Sequence, residues 1–261
     1  MNYFTKLSIE IANKKNYLDY LFQVYPTIPD GMREIDDDVW EKIESAFNNN
    51  RKSELIHLLL SLELFPIKDS YIAYLKRDPG AIERNPGTVD RIYGRLVELG
   101  LEKIRERITQ PKETNRQIGP MFKRWINKGV LGAPIYRQEE DFLKAPGNAI
   151  LDGSDTQLGD FARKYLNYTG SKGLDLVAKF NNKYVVGEAK FLTDFGGHQN
   201  AQFNDAMTLL LNKDIKAVKI AILDGVLYIK GNNKMYKDIT TKYSEHNIMS
   251  ALVLKKFLYQ I

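Results

Sequence analysis

The sequence predicts an α/β (α+β) chain, a mixed β-sheet flanked by helices and preceded by a mostly helical N-terminal region. Three observations carry this. To about residue 130, apolar residues recur at spacings of three and four, the helical period. Beyond that, runs such as "GLDLVAKF" and "KYVVGEAKF" are short and strand-like. The order there is helix, hairpin, helix, strand, which builds a small mixed sheet. The division is read as a mostly helical region 1–135 and a core 136–261.

Apolar spacing places helices at 5–22, 37–48, 52–63, 88–107 and 116–128. Pro26, Pro29, Pro66, Pro79, Pro86 and Pro111 fall between these segments or at their starts, where proline is tolerated. In "SDTQLGDFARKYL" (154–166) Ser154 or Asp155 can cap a helix whose apolar face is Leu158, Phe161, Ala162 and Tyr165. Strands follow at 174–180 and 184–191, then a helix at 198–212 and a strand at 217–223. Residues 225–231 are expected to pair with that last strand across Asp224-Gly225.

Composition excludes several classes. Zero cysteines remove disulfides and Cys-based metal sites. Three scattered histidines, His57, His198 and His246, argue against a His-rich zinc site. There is no apolar run of membrane-spanning length and no signal-peptide pattern at the start, so a cytoplasmic location is expected. Neither a phosphate-cradling G-x-x-x-x-G-K-[ST] loop nor a G-x-S-x-G elbow occurs. The net charge of +5 is compatible with a polyanionic partner.

The hairpin 173–191 carries the chemistry. Glu188 and Lys190 lie two apart on one strand and share a face, with Ala189 turned away. Asp175 sits on the other strand, and pairing across Asn181-Asn182 brings it within reach of Glu188, since opposed Cβ atoms are roughly 5 Å apart. Sequence alone does not fix the register. Two such carboxylates repel unless positive charge lies between them. A hard divalent cation such as Mg²⁺ takes oxygen ligands from one or two carboxylates, waters and phosphate oxygens. A neighbouring lysine can neutralise a phosphate or assist a metal-bound water. The plain alternative is an exposed hairpin edge with solvated charges. Leu174, Val177, Val185, Val186 and Phe191 favour a core sheet. The second acid-x-Lys string, Asp214-Ile215-Lys216, lies between a helix and a strand with no acid-bearing strand before it.

Asp175, a gap of twelve residues, and Glu188-Ala189-Lys190 resemble the PD-(D/E)xK nuclease motif. The wider stretch "GSDTQLGDFARKYL…KGLDLVAKF…YVVGEAKFLTDFGGHQNAQFNDA" resembles type II restriction endonucleases, over roughly residues 150–230. The motif's proline is replaced by Leu174. The resemblance implies a restriction-endonuclease-like core. It implies that Asp175 and Glu188 bind Mg²⁺, with the carbonyl of Ala189 as a further ligand, and that Lys190 positions or activates the attacking water. Asp155 is the candidate for an added acid from the preceding helix; a helix cap is the other role open to it. After Gly196-Gly197, His198 and Gln199 would contact DNA, unless that segment is simply a glycine turn.

The activity implied is Mg²⁺-dependent, site-specific cleavage of double-stranded DNA at a short sequence, within a restriction–modification system. A homodimer is expected, one site per strand. The alternatives are a structure-specific repair or junction nuclease on the same core, and a catalytically silent DNA-binding protein. The segment 105–128 holds seven basic residues against two acidic, an excess of +5. Within it Asn115, Arg116, Gln117, Lys123 and Arg124 are the candidate DNA contacts, a solvated helix face being the alternative. Arg91 and Arg95, on one face of a helix, form a weaker second basic place.

Overall fold

The computed structural model describes residues 1–14, 16–26, 33–111 and 118–261. The chain gathers into two compact units, Met1–Thr27 with Thr114–Ile261, and Ile28–Glu113. Among the described residues no helix is long and apolar enough to cross a membrane.

Helices α1 (Tyr3–Ala12) and α2 (Tyr17–Val24) replace the single helix expected over 5–22. The break falls where Asn16 takes a left-handed backbone at φ +67°, a conformation asparagine tolerates better than most residues. The second unit is helical: α3 (Asp37–Asn48), α4 (Lys52–Ser61), α5 (Ile72–Arg77), α6 (Ala81–Arg84), α7 (Pro86–Leu99) and α8 (Leu101–Ile108). Asp36 caps α3 by accepting the Asp38 and Val39 N–H groups. The expected helix over 88–107 is two helices, because Gly100 at φ +80° turns the chain between α7 and α8. Ile43, Leu55, Ile56, Leu59, Ile92 and Ile104 are fully buried at the centre of this unit.

The first unit resumes with α9 (Ile118–Asn127), β1 (Ile135–Tyr136), α10 (Glu139–Lys144), β2 (Ala149–Leu151) and α11 (Asp155–Leu166). Then follow β3 (Leu176–Phe180), β4 (Lys183–Leu192), α12 (Gly197–Leu211), β5 (Val218–Gly225), α13 (Lys234–Thr240), β6 (Ile248–Met249) and α14 (Ala251–Leu258). Among the described residues six strands form one mixed sheet in sequence order. β3 is antiparallel to β2 and β4, while β1–β2, β4–β5 and β5–β6 run parallel. This is an α/β architecture consistent with a restriction-endonuclease-like fold.

Alternation along the strands sorts their side chains. Val177 and Val186 pack with Leu158, Phe161, Ala162 and Leu166 of α11 and with Leu209 of α12. On the other face Leu176, Val185, Ile220 and Ile222 join Leu21 of α2 and Leu254 of α14. Tyr165 leaves the buried face expected for it and is exposed, its ring 4.8 Å from that of Phe161; Leu166 is buried in its place.

Two expectations need correction. Residues 225–231 form no hairpin partner for β5. Both edges of β5 are taken by parallel neighbours, and Val226–Tyr228 is a 3-10 turn. At Gly225 the chain turns at φ +101° so close to β4 that a Cβ would lie 2.1 Å from the Leu192 carbonyl oxygen. The compact units also divide elsewhere than at 135/136. Apolar residues of α1, α2 and α9, among them Ile9, Leu21, Phe122 and Ile126, are buried in the sheet's core.

Candidate active site

Leu176 pairs with Gly187 at the end of the β3–β4 ladder. One step further the same register sets Asp175 opposite Glu188. The Asp175 N–H still donates to the Gly187 carbonyl at 3.0 Å. The Asp175 carboxylate accepts the Ala189 N–H at 2.8 Å. A residue's N–H and C=O leave a strand on the same edge, so the Ala189 carbonyl faces the side of Asp175 and away from the β5 ladder.

Lys190 closes the triangle. Its Nζ lies 2.5 Å from Glu188 Oε1 and 3.5 Å from Asp175 Oδ2. Burial outweighs the lysine at both acids. Asp175 is raised above the ordinary carboxylate range chiefly by burial, against Lys190 and the Ala189 N–H. Glu188 is pushed up to about 7 by burial and then by the charge of Asp175. Burial would lower Lys190, but the two carboxylates overcome it and its pKa is raised. When both are ionised, two buried carboxylates against one ammonium leave an excess negative charge, and with the Ala189 carbonyl this all-oxygen donor set fits a hard divalent cation.

Asp155 stands apart from that pair. Ser154, not Asp155, caps α11: its hydroxyl accepts the Gln157 N–H while Gln157 Oε1 accepts the Ser154 N–H, a capping box. The exposed Asp155 carboxylate meets Lys123 Nζ at 2.5 Å. Among the described residues no three acidic or histidine side chains gather as a metal-holding group. Gly173 makes this corner possible. A Cβ there would lie 2.4 Å from the Asp155 carbonyl carbon and oxygen, and the Leu174 N–H donates to that oxygen at 3.0 Å.

The remaining candidates separate. His198 is exposed at the start of α12, a ring nitrogen 3.1 Å from Gln202 Nε2. Gln199 turns inward, its Oε1 accepting the Thr193 N–H at 3.3 Å and its Nε2 donating to Thr193 Oγ1 at 3.1 Å, so it holds the loop after β4. Arg124 is exposed on α9, while Lys123 is half-buried. Asn115, Arg116 and Gln117 lie outside the described residues. Arg91 and Arg95 both pair with Asp69.

Sequence spacing missed two features. Asp205 of α12 raises Glu188 further by its charge and pairs with Lys172 at 2.5 Å. Beside it a cavity of about 180 Å³ opens onto Glu188, lined also by Tyr168 and Asn212. No motif links a helix residue seventeen positions on to the strand it faces. The second feature is charge by unit. Residues 28–113 carry 14 Lys and Arg against 17 Asp and Glu, a net −3, while the sheet unit carries 24 against 16, a net +8. The basic excess thus belongs to the unit holding Asp175, Glu188 and Lys190.

The model of the Tsp45I type II restriction enzyme family matches residues 2–261. No curated protein and no solved structure matches. The chain belongs to the Tsp45I type II restriction enzyme family, and is accordingly a DNA-binding, site-specific deoxyribonuclease of a restriction system.

Proposed function

We propose that this member of the Tsp45I type II restriction enzyme family cuts both strands of double-stranded DNA at a short sequence, using Mg²⁺ held by Asp175, Glu188 and the Ala189 carbonyl. The observation that carries the reading is the opposition of Asp175 and Glu188 on adjacent strands, with Lys190 Nζ between them at 3.5 and 2.5 Å. Such an ion, when bound, lowers the pKa of a coordinated water and offsets charge building on the phosphate. Asp175 and Glu188 fix its position through oxygens that the β3–β4 ladder and the Ala189 N–H hold still. Lys190 directs its ammonium at the attacking water and one non-bridging phosphate oxygen. Water attacks phosphorus, the 3′-oxygen leaves, and a 5′-phosphate and a 3′-hydroxyl result.

Arg124, His198 and the segment holding Asn115, Arg116 and Gln117 supply DNA contacts in this reading. Lys123 supplies a further one, and Gln199 keeps the adjoining loop in shape. The protein acts as a homodimer in the cytoplasm, because one site cuts one strand and a two-fold pair cuts both across a palindrome. The test is a plasmid digest with purified protein in Mg²⁺. Discrete fragments that disappear with EDTA and with Glu188→Gln are expected. A smear, or fragments that survive Glu188→Gln, would overturn the assignment.

A further inference from the structure

Sequence spacing gives Lys123 and Asp155 separate roles, and the fold joins them. On α9, Lys123 and Asn127 are one turn apart and reach the same segment. Asn127 Nδ2 donates to Asp152 Oδ1 at 3.0 Å, and Lys123 Nζ donates to the Gly153 carbonyl at 2.8 Å. The ammonium also touches Asp155 Oδ1 at 2.5 Å. This clasp lies against the catalytic pair. The Asp155 carbonyl receives the N–H of Leu174, the residue before Asp175. A Cβ on Gly119, one turn before Lys123, would lie 4.0 Å from Asp175 Oδ1. Lys123 and Asp175 line one cleft, and the charges of both Lys123 and Asp155 are felt at the Asp175 carboxyl.

The two partners of this ion pair are unequally free. The Lys123 side chain is 20% exposed and held by a backbone carbonyl, whereas the Asp155 side chain is 64% exposed. An ion pair with one solvated partner is weak, so exchanging that carboxylate for another oxyanion costs little. A compact ammonium on a flexible stem suits such an exchange.

We infer that Lys123 contacts a DNA phosphate beside the scissile one, waiting on Asp155 in the free protein and transferring when the duplex enters, and that Asp155 is its positioning residue and not a metal ligand. This rests on Asp175, Glu188 and Lys190 being the cleavage centre.

The test uses full-length wild type, Lys123→Met, Lys123→Arg, Asp155→Asn and the Lys123→Met/Asp155→Asn double variant, with folding checked by thermal melting. The substrate is a duplex carrying the sequence recovered from plasmid cut ends, with single methylphosphonates placed around the cut. In wild type, one methylphosphonate should slow single-turnover cleavage roughly tenfold to a hundredfold, as for loss of a charged hydrogen bond. In Lys123→Met the rate should already be lowered, and that substitution should add nothing. Lys123→Arg should retain the phosphate dependence. Asp155→Asn should alter the rate with Lys123 present and leave it unchanged in Lys123→Met.

Two results would overturn the inference: an Asp155→Asn defect that persists without Lys123 or yields to added Mg²⁺, or methylphosphonate effects identical in wild type and Lys123→Met. Glu188→Gln is the control, since cleavage by that variant would instead remove the cleavage centre on which the inference rests.

Discussion

Asp175 and Glu188 are separated by twelve intervening residues in sequence and lie opposite one another in the sheet, one step beyond the Leu176–Gly187 pair, where Asp175 Oδ2 also accepts the Ala189 N–H at 2.8 Å. The loop between them is a two-residue turn. Asn181 and Asn182 both take left-handed backbone, φ +48° and +62°, as a tight hairpin of this hand requires. That turn sets the register, and the register sets the site.

The first prediction concerns the acids. Glu188→Gln and Asp175→Asn should abolish cleavage in Mg²⁺ and leave DNA binding measurable in Ca²⁺. Neither should lower the melting temperature at pH 7 by much, because each removes a charge that burial disfavours, at Glu188 with the charge of Asp175 added and at Asp175 in spite of Lys190 and the Ala189 N–H. Single-turnover cleavage and thermal melting of the same preparations check both halves.

Lys190 should separate binding from chemistry. Lys190→Ala is expected to bind the specific duplex within about tenfold of wild type. Its single-turnover rate should fall roughly a hundredfold or more, as for loss of one preorganised electrostatic group. Lys190→Arg should restore little, because a planar fork does not fit where an ammonium sits 2.5 Å from Glu188. A variant that binds poorly yet cuts at the wild-type rate once bound would make Lys190 a DNA-holding residue.

The hairpin was legible because its signals are local: alternation, an Asn-Asn turn and an acid-x-Lys string within nineteen residues. The helix breaks at Asn16 and Gly100 were not, since apolar periodicity runs through both positions. The short strands Ile135–Tyr136 and Ile248–Met249 have too few residues to show a period. Lys123 and Asp155 are 32 positions apart and meet only through tertiary packing.

Gly173 should resist enlargement. A Cβ there has backbone, not a flexible side chain, 2.4 Å away, so the Leu174–Asp155 hydrogen bond must give. Gly173→Ala is expected to destabilise by about 1–3 kcal/mol, the usual cost of overpacking. It should also displace Asp175 and slow cleavage. Urea unfolding and single-turnover rates measure the two, and a fully stable, fully active variant would contradict the tight corner.

The last prediction concerns Asp224, buried on β5 opposite Phe191 of β4. Tyr17 and Tyr25 hydroxyls donate to it at 3.3 and 3.1 Å, with Ser250 and the Ala251 N–H completing the set. The Tyr25 ring lies 5.2 Å from that of Phe191, next to Lys190, so the cluster braces β4 from the far face. Burial raises the Asp224 pKa from 3.8 to about 6, despite these donors. A folded pKa above the unfolded one means that the folded state binds the extra proton. The stability this confers is present below pH 3.8 and lost as pH rises through 6. A shift of roughly two units corresponds to about 3 kcal/mol. Asp224→Asn should remove this dependence while keeping the cluster, since the amide oxygen can face Ala251 and Tyr25 and its NH₂ the rotatable hydroxyls of Tyr17 and Ser250. Stability measured by urea unfolding between about pH 4 and pH 7 should therefore fall in wild type relative to Asp224→Asn. A constant difference between the two curves across that range would show that Asp224 stays ionised throughout.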